Sequence, residues 1–321
     1  MTPTILIVGA TGNTGRGVVE TLSKILSQDT TTTTGLLSNP HRILALTRSA
    51  TSPAALAIAA LPNVTVLEQN WVEITAAWLR SHNVVRAFIA PHNNPNQFAE
   101  ESTFHVAALH AGLDYVVRIS TTAANVHPDC DAYYPRSHWA IETMLDAPEF
   151  AALRWTSLQP NIFASVFLGP AAEVIRRYRE TGEQGGTLRL LGAEEAPVGI
   201  VDPFDVGVLA ARLLVQEDAA VHNKKRYVVN GPEDITGRQV VEMVERYIGQ
   251  RVEDVVFKDV SFIDYMVAAS GESKNVMQSI KHAPETAWNG ECTASTTSKE
   301  VLELTAPSRT PAEVLRALLG E

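Results

Sequence analysis

In the first half of the chain the apolar positions fall into short continuous runs. Strand candidates lie at 4–8, 42–47, 64–67, 84–90, 115–119 and 155–159, and several are continuous and rich in β-branched residues, as strands buried on both faces should be. Between them, 16–26, 53–60, 74–79, 98–111 and 136–145 read as helical stretches, the first with apolar residues at helical spacing. Gly112 follows the fourth, where a glycine cap belongs. Strand and helix in strict alternation predict right-handed βαβ units and a parallel sheet, an α/β fold.

The second half is less regular. Helices are expected at 171–179, 236–248, 271–281 and 297–304, and a strand at 225–230. Asp202-Pro203 suits the N-cap and first position of a helix running to Leu214. The glycines of 182–191 suggest a mobile segment, and the Thr/Ser-rich 27–39 an extended surface loop.

Composition narrows the class. Of 321 residues, 45% are hydrophobic and 19% charged, as in a soluble globular protein. The net charge of -10, with no Lys/Arg cluster, argues against a nucleic-acid partner. Cys130 and Cys292 make no disulfide scaffold, and no C-x-x-C or H-E-x-x-H spacing suggests a metal. No run of 18 apolar residues is present, so no membrane association is expected and the cytoplasm is the default compartment.

The chemistry begins at residues 9–15. Gly9, Thr11, Gly12, Asn13, Thr14 and Gly15 follow the first strand and open the first helix in a G-x-x-G-x-x-G spacing. Glycines let the backbone turn tightly and approach a phosphate, while first-turn N–H groups point at it. A dinucleotide is the expected ligand. After strand two, where an acidic residue would bind the ribose of NAD, stands Arg48, followed by Ser49 and Thr51. A guanidinium grips a 2′-phosphate, so NADP(H) is favoured. Asn70 ends strand three, where it can hydrogen-bond the adenine. Pro91, His92 and Asn93 follow strand four, at the sheet edge where the nicotinamide lies in such folds.

Several blocks in order then resemble one family: G-A-T-G-x-x-G, Thr47-Arg48, residues 158–163 (LQPNIF), 201–207 (VDPFDVG) and 227–233 (YVVNGPE). The chain resembles the NmrA-like family of atypical short-chain dehydrogenases/reductases, cousins of isoflavone-reductase-like and quinone-reductase-like enzymes. The resemblance implies a Rossmann-type doubly wound parallel sheet with a smaller C-terminal α+β substrate domain. The division would be a cofactor domain at 1–160 and a substrate domain at 161–321, with the strand near 225–230 rejoining the first sheet. It also implies a cleft between them, with Asn161 beside the nicotinamide. Members are either NADPH-dependent reductases or NADP-binding regulators.

The Tyr-x-x-x-Lys pair of ordinary short-chain dehydrogenases is altered to Tyr134-Pro135-Arg136-Ser137-His138. Pro135 suggests that Tyr134 precedes the helix rather than riding on it. His138 and Glu142 are four residues apart on one helix face, so His138 could serve as an acid near neutral pH with Glu142 orienting it. The same pair could equally be a structural support. Ser120, with Thr121, ends strand five, where it could bond a substrate oxygen or cap the loop. Phe163, Phe167, Tyr265 and Met266 are candidates for an apolar pocket, and Cys130 sits near its mouth.

These features predict an NADPH-dependent reductase of a small, mostly apolar carbonyl, enone, imine or quinone by direct hydride transfer. The alternative is a non-catalytic NADP(H)-sensing protein with a protein partner. Substrate identity and a homodimer are left open by the sequence.

Overall fold

The six apolar runs of the first half all become strands, because each offers side chains to cores on both faces. The computed structural model describes residues 2–28, 37 and 40–321, so most of the expected 27–39 loop lies outside the described residues. Through the first half the order is β1 (Thr4–Val8), α1 (Asn13–Leu26), β2 (Arg42–Thr47), α2 (Pro53–Ala59), β3 (Val64–Glu68), α3 (Ala76–Ser81), β4 (Val84–Ile89), α4 (Gln97–Ala111), β5 (Tyr115–Ile119), α5 (Tyr133–Asp146) and β6 (Arg154–Pro160). Beyond it come α6 (Ala164–Thr181), β7 (Leu188–Arg189), α7 (Pro203–Leu214), β8 (Lys225–Val229), α8 (Gly237–Ile248), β9 (Val255–Val256), α9 (Phe262–Ala269), α10 (Lys274–Gln278), α11 (Glu285–Trp288), α12 (Lys299–Thr305) and α13 (Pro311–Leu319).

Seven strands form one parallel sheet in the order β3-β2-β1-β4-β5-β6-β8. The order reverses between β1 and β4, and ligands of open α/β sheets bind outside the strand ends at that point. Alternate residues serve opposite faces: Ile5 and Ile7 join a core with α1 and α7, while Leu6 and Val8 join one with α3, α4 and α5. A third core joins α6, α8 and α13 to Leu188, Val198 and Ile200. The chain returns to the sheet after residue 160, since α7 packs against α1 and β8 pairs with β6.

Three differences from expectation have local causes. α6 starts at Ala164, two turns before the expected 171, because Pro170 lies inside it and hides the helical pattern. α5 starts at Tyr133, so Tyr134 is on the helix after all: Pro135 stands in the first turn, where its missing N–H has no partner to lose. The segment 182–191, where no strand was expected, contains β7, which pairs with β9. Among the described residues no helix is long and apolar enough to cross a membrane.

Candidate active site

The turn after β1 is shaped by two glycines. Gly9 has φ +79°, a left-handed conformation. A Cβ on Gly15 would stand 2.0 Å from the Gly9 carbonyl oxygen, so the turn closes only without a side chain there. Gly12 is the N-cap of α1 and brings no side-chain acceptor, and the first turn holds no acidic residue. The N–H groups of that turn and the positive end of the helix therefore remain available to an anion.

A cavity of about 600 Å³ runs from this turn across the ends of β4, β5 and β6 to α9 and α10. Gly9, Gly12, Asn13, Thr14 and Gly15 line one end, with Pro91, Asn93, Ser120, Tyr134, His138 and Asn161 along its length. The far end is apolar, built by Phe163, Phe262, Ile263, Met266, Met277 and Ile280. The Ser120 hydroxyl oxygen is buried without a hydrogen-bond partner among the described residues. A backbone cradle at one end and an orphaned hydroxyl in the middle fit a dinucleotide that lies along the cavity.

His138 is held by a buried polar network. Arg118, wholly buried at the end of β5, donates from Nη2 to His138 Nδ1 at 2.7 Å. Its Nε donates to Glu101 Oε1 at 2.6 Å and its Nη1 to Ser157 Oγ at 2.9 Å and Glu142 Oε1 at 3.3 Å. Arginine has no acceptor, so the Nδ1 lone pair faces it and the ring proton resides on Nε2. Nε2 then donates to Asn93 Oδ1 at 3.2 Å. Burial, reinforced by the Arg118 charge, pushes the His138 pKa down to about 3. Burial alone would raise the Glu101 carboxyl, but Arg118 and His105 hold it well below the usual range.

Two expectations are corrected here. His138 is neutral at neutral pH, which removes the imidazolium needed for an acid. Glu142 does not orient it: that carboxylate is bound by Arg118, Ser157 (2.6 Å), Gln159 and Arg226 (2.8 Å), and Arg118 stands between the pair.

The tyrosines divide their roles. Tyr133 donates to the Asn93 carbonyl. Burial, with Tyr134 beside it, pushes its pKa up to about 12. Tyr134 is half-buried, interacts with Thr121, and its pKa is also raised by burial. Its ring meets the His138 imidazole edge-on at 6.4 Å between centroids.

Other expected residues are placed elsewhere. Thr11, Arg48, Asn70 and His92 do not line the cavity. Arg48 is exposed beyond the end of β2, and the Ser49 and Thr51 hydroxyls that follow it bond one another at 3.3 Å. Asn70 caps the short helix Trp71–Glu73 by accepting from Val72 N–H. His92 turns away to Glu100. Asn161 lines the cavity, yet its amide donates to the Gly199 and Cys292 carbonyls at 3.2 and 2.9 Å. Phe163 and Met266 line the chamber, whereas Phe167 is core and Tyr265 is exposed outside it. Cys130 is buried, and burial raises its thiol pKa, the opposite of activation.

Sequence reasoning missed Arg118 and Glu101, although an arginine inside the apolar run Tyr-Val-Val-Arg-Ile was itself a signal of a buried charge. It also missed Glu68, whose carboxylate accepts from Ala50 N–H at 3.0 Å, two residues beyond Arg48 in the chain. That neighbour follows from the register, which sets Glu68 opposite Thr47. Ile263, Met277 and Ile280 carried no signal beyond being apolar.

Comparison with known proteins gives a consistent picture. The model of the NmrA-like family matches residues 1–302. A curated relative from Streptomyces griseus, a (4-alkanoyl-5-oxo-2,5-dihydrofuran-3-yl)methyl phosphate reductase, is 28% identical over 246 residues, covering 77% of this chain and 74% of the relative. Among solved structures, an NADPH-dependent quinone oxidoreductase from Escherichia coli complexed with NADPH superposes with TM-score 0.70 at 20% identity, covering 98% of this chain and 99% of that one. The negative transcriptional regulator NmrA superposes with TM-score 0.66 at 16% identity, covering 100% and 96% of the two chains.

Proposed function

This chain belongs to the NmrA-like family, and on that footing we propose that it is an NADPH-dependent reductase of a small, mostly apolar carbonyl, enone, imine or quinone. One observation carries this reading: the glycine cradle and an apolar chamber are two ends of the same cavity. A regulator needs the cradle alone, whereas a reductase needs a seat for a second molecule beside the dinucleotide. The reductase names of the Streptomyces and E. coli relatives support the same class.

In this reading the N–H groups of the 9–15 turn hold the pyrophosphate, and Arg48 with Ser49 and Thr51 holds the 2′-phosphate. Bound NADPH supplies a hydride. The chain's own groups do the rest. Ser120 gives the acceptor oxygen a hydroxyl that has no competing partner among the described residues. Tyr134, kept as a phenol by its burial, can donate a proton or a hydrogen bond. His138 contributes a fixed Nε2–H, not an acid. The apolar wall of Phe262, Ile263 and Met266 excludes water and favours flat, uncharged acceptors.

A second reading, a non-catalytic NADP(H)-sensing protein, is favoured by one observation: the position of the short-chain dehydrogenase lysine holds a neutral, buried histidine. The experiment that separates them is NADPH oxidation at 340 nm against a panel of quinones, enones and imines. Turnover that depends on the panel member is expected. Tight NADP(H) binding with no turnover anywhere would establish the sensor instead. In the same assay Arg48→Ala should cut the preference for NADPH over NADH by about tenfold or more, the loss of one charge-assisted contact. An unchanged ratio would remove Arg48 from the cofactor site.

A further inference from the structure

A second cavity, of about 490 Å³, opens beside the first between α6, the 184–189 segment and the approach to α9. The two share Val166, Leu191 and Phe262 as a common apolar wall. Their chemistry differs sharply. Among the described residues no lysine, arginine, aspartate or glutamate lines the first cavity, whereas Arg177 and Arg189 line the second.

The two carboxylates of the second cavity are already committed. Asp259 accepts from Arg189 at 3.3 Å and from Ser261 Oγ at 2.8 Å, and Glu173 pairs with Arg176 at 3.1 Å. Arg177 has no carboxylate partner among the described residues. Its guanidinium lies against Gly185, where an added Cβ would stand 2.3 Å from Cζ. The missing side chain lets the guanidinium settle on the turn. An anion placed at the apolar end of the first cavity, away from the cradle, would find no opposite charge and would be costly to bury. One shifted past Phe262 meets Arg177, a planar fork-shaped donor with no carboxylate partner among the described residues, and the N–H groups of Arg189 that Asp259 does not take.

We propose that the second cavity is an oxyanion subsite of the substrate pocket. The acceptor is then amphipathic: a neutral reducible group sits in the first cavity, and a phosphate or carboxylate on a short spacer reaches Arg177 and Arg189. The identity of the ligand as an acceptor rests on the reductase reading, but the subsite can be tested by binding alone.

The probes are 4-phenylbutyl phosphate, 4-phenylbutyrate, 4-phenylbutanol and inorganic phosphate, titrated calorimetrically into the full-length protein with and without NADP⁺. At least one of the two phenylbutyl anions is expected to bind about tenfold tighter than the alcohol, with the preferred anion identifying the oxyanion. Arg177→Met and Arg189→Met should each remove most of that advantage and leave alcohol binding unchanged. Three results would overturn the subsite: equal binding of alcohol and both anions, variants that bind the anions normally, or inorganic phosphate as tight as phenylbutyl phosphate. None of these depends on turnover, so a protein that fails to reduce anything still gives a readable answer.

Discussion

At His138 the deciding neighbour is Arg118. A histidine at the cavity edge is ordinarily a candidate acid, because its free pKa lies near 6.5. A buried guanidinium 2.7 Å from Nδ1 both fixes the tautomer and opposes protonation. Nitrogen-15 NMR of the histidine rings should therefore show His138 as a neutral Nε2–H tautomer at pH 6 and above. The same shift makes a stability prediction. The folded pKa of about 3 lies below the unfolded value of about 6.5, so the unfolded chain takes up the proton first. His138's contribution is present above about pH 6.5 and is lost as the pH falls towards 3, roughly 2 kcal/mol between pH 7 and pH 5. The depressed carboxyl of Glu101 adds a loss in the same direction below about pH 5. His138→Gln should flatten the pH 5–7 part of a chemical-denaturation profile; an unchanged slope would show that His138 titrates normally. The sequence placed His138 and Glu142 on one helix face but could not show Arg118 between them, because β5 and α5 meet only in three dimensions.

At the scale of elements, the turn between β1 and α1 was legible because everything that shapes it is local: strand, three glycines, helix. Replacing Gly15 by Ala forces a Cβ against the Gly9 carbonyl at 2.0 Å, where only backbone movement can relieve the clash. A cost of about 1–3 kcal/mol in stability is expected, with NADPH affinity falling about tenfold or more as the cradle opens. Thermal unfolding and cofactor titration of the variant check both, and wild-type values in each would show a turn with room to spare. The parallel strands were legible for a similar reason, as unbroken β-branched runs. α6 was clipped by Pro170. The far wall of the chamber was hidden more deeply. α9 and α10 are short, and Tyr133, Ile263, Val267 and Met277 form a small cluster of their own. Nothing in their spacing says which side faces a ligand.

At the scale of the molecule, one sheet edge gathers residues far apart in sequence. The ends of β1, β4, β5 and β6 bring the cradle, Asn93, Ser120 and Asn161 to a single cavity, as expected where the strand order reverses. Asn161 ties that edge to the later segments through the Gly199 and Cys292 carbonyls, and the shared cavity sets the chamber beside the cradle. That relation is what the proposed hydride transfer requires. Its most direct test is the fate of an isotope. NADPH deuterated at C4, as each of the two stereoisomers in turn, is incubated with the protein and an enone turned over in the panel. Deuterium is expected on carbon in the product from one stereoisomer and not from the other. Enone reduced at the expense of NADPH with deuterium on carbon from neither stereoisomer would contradict direct hydride transfer in this cavity.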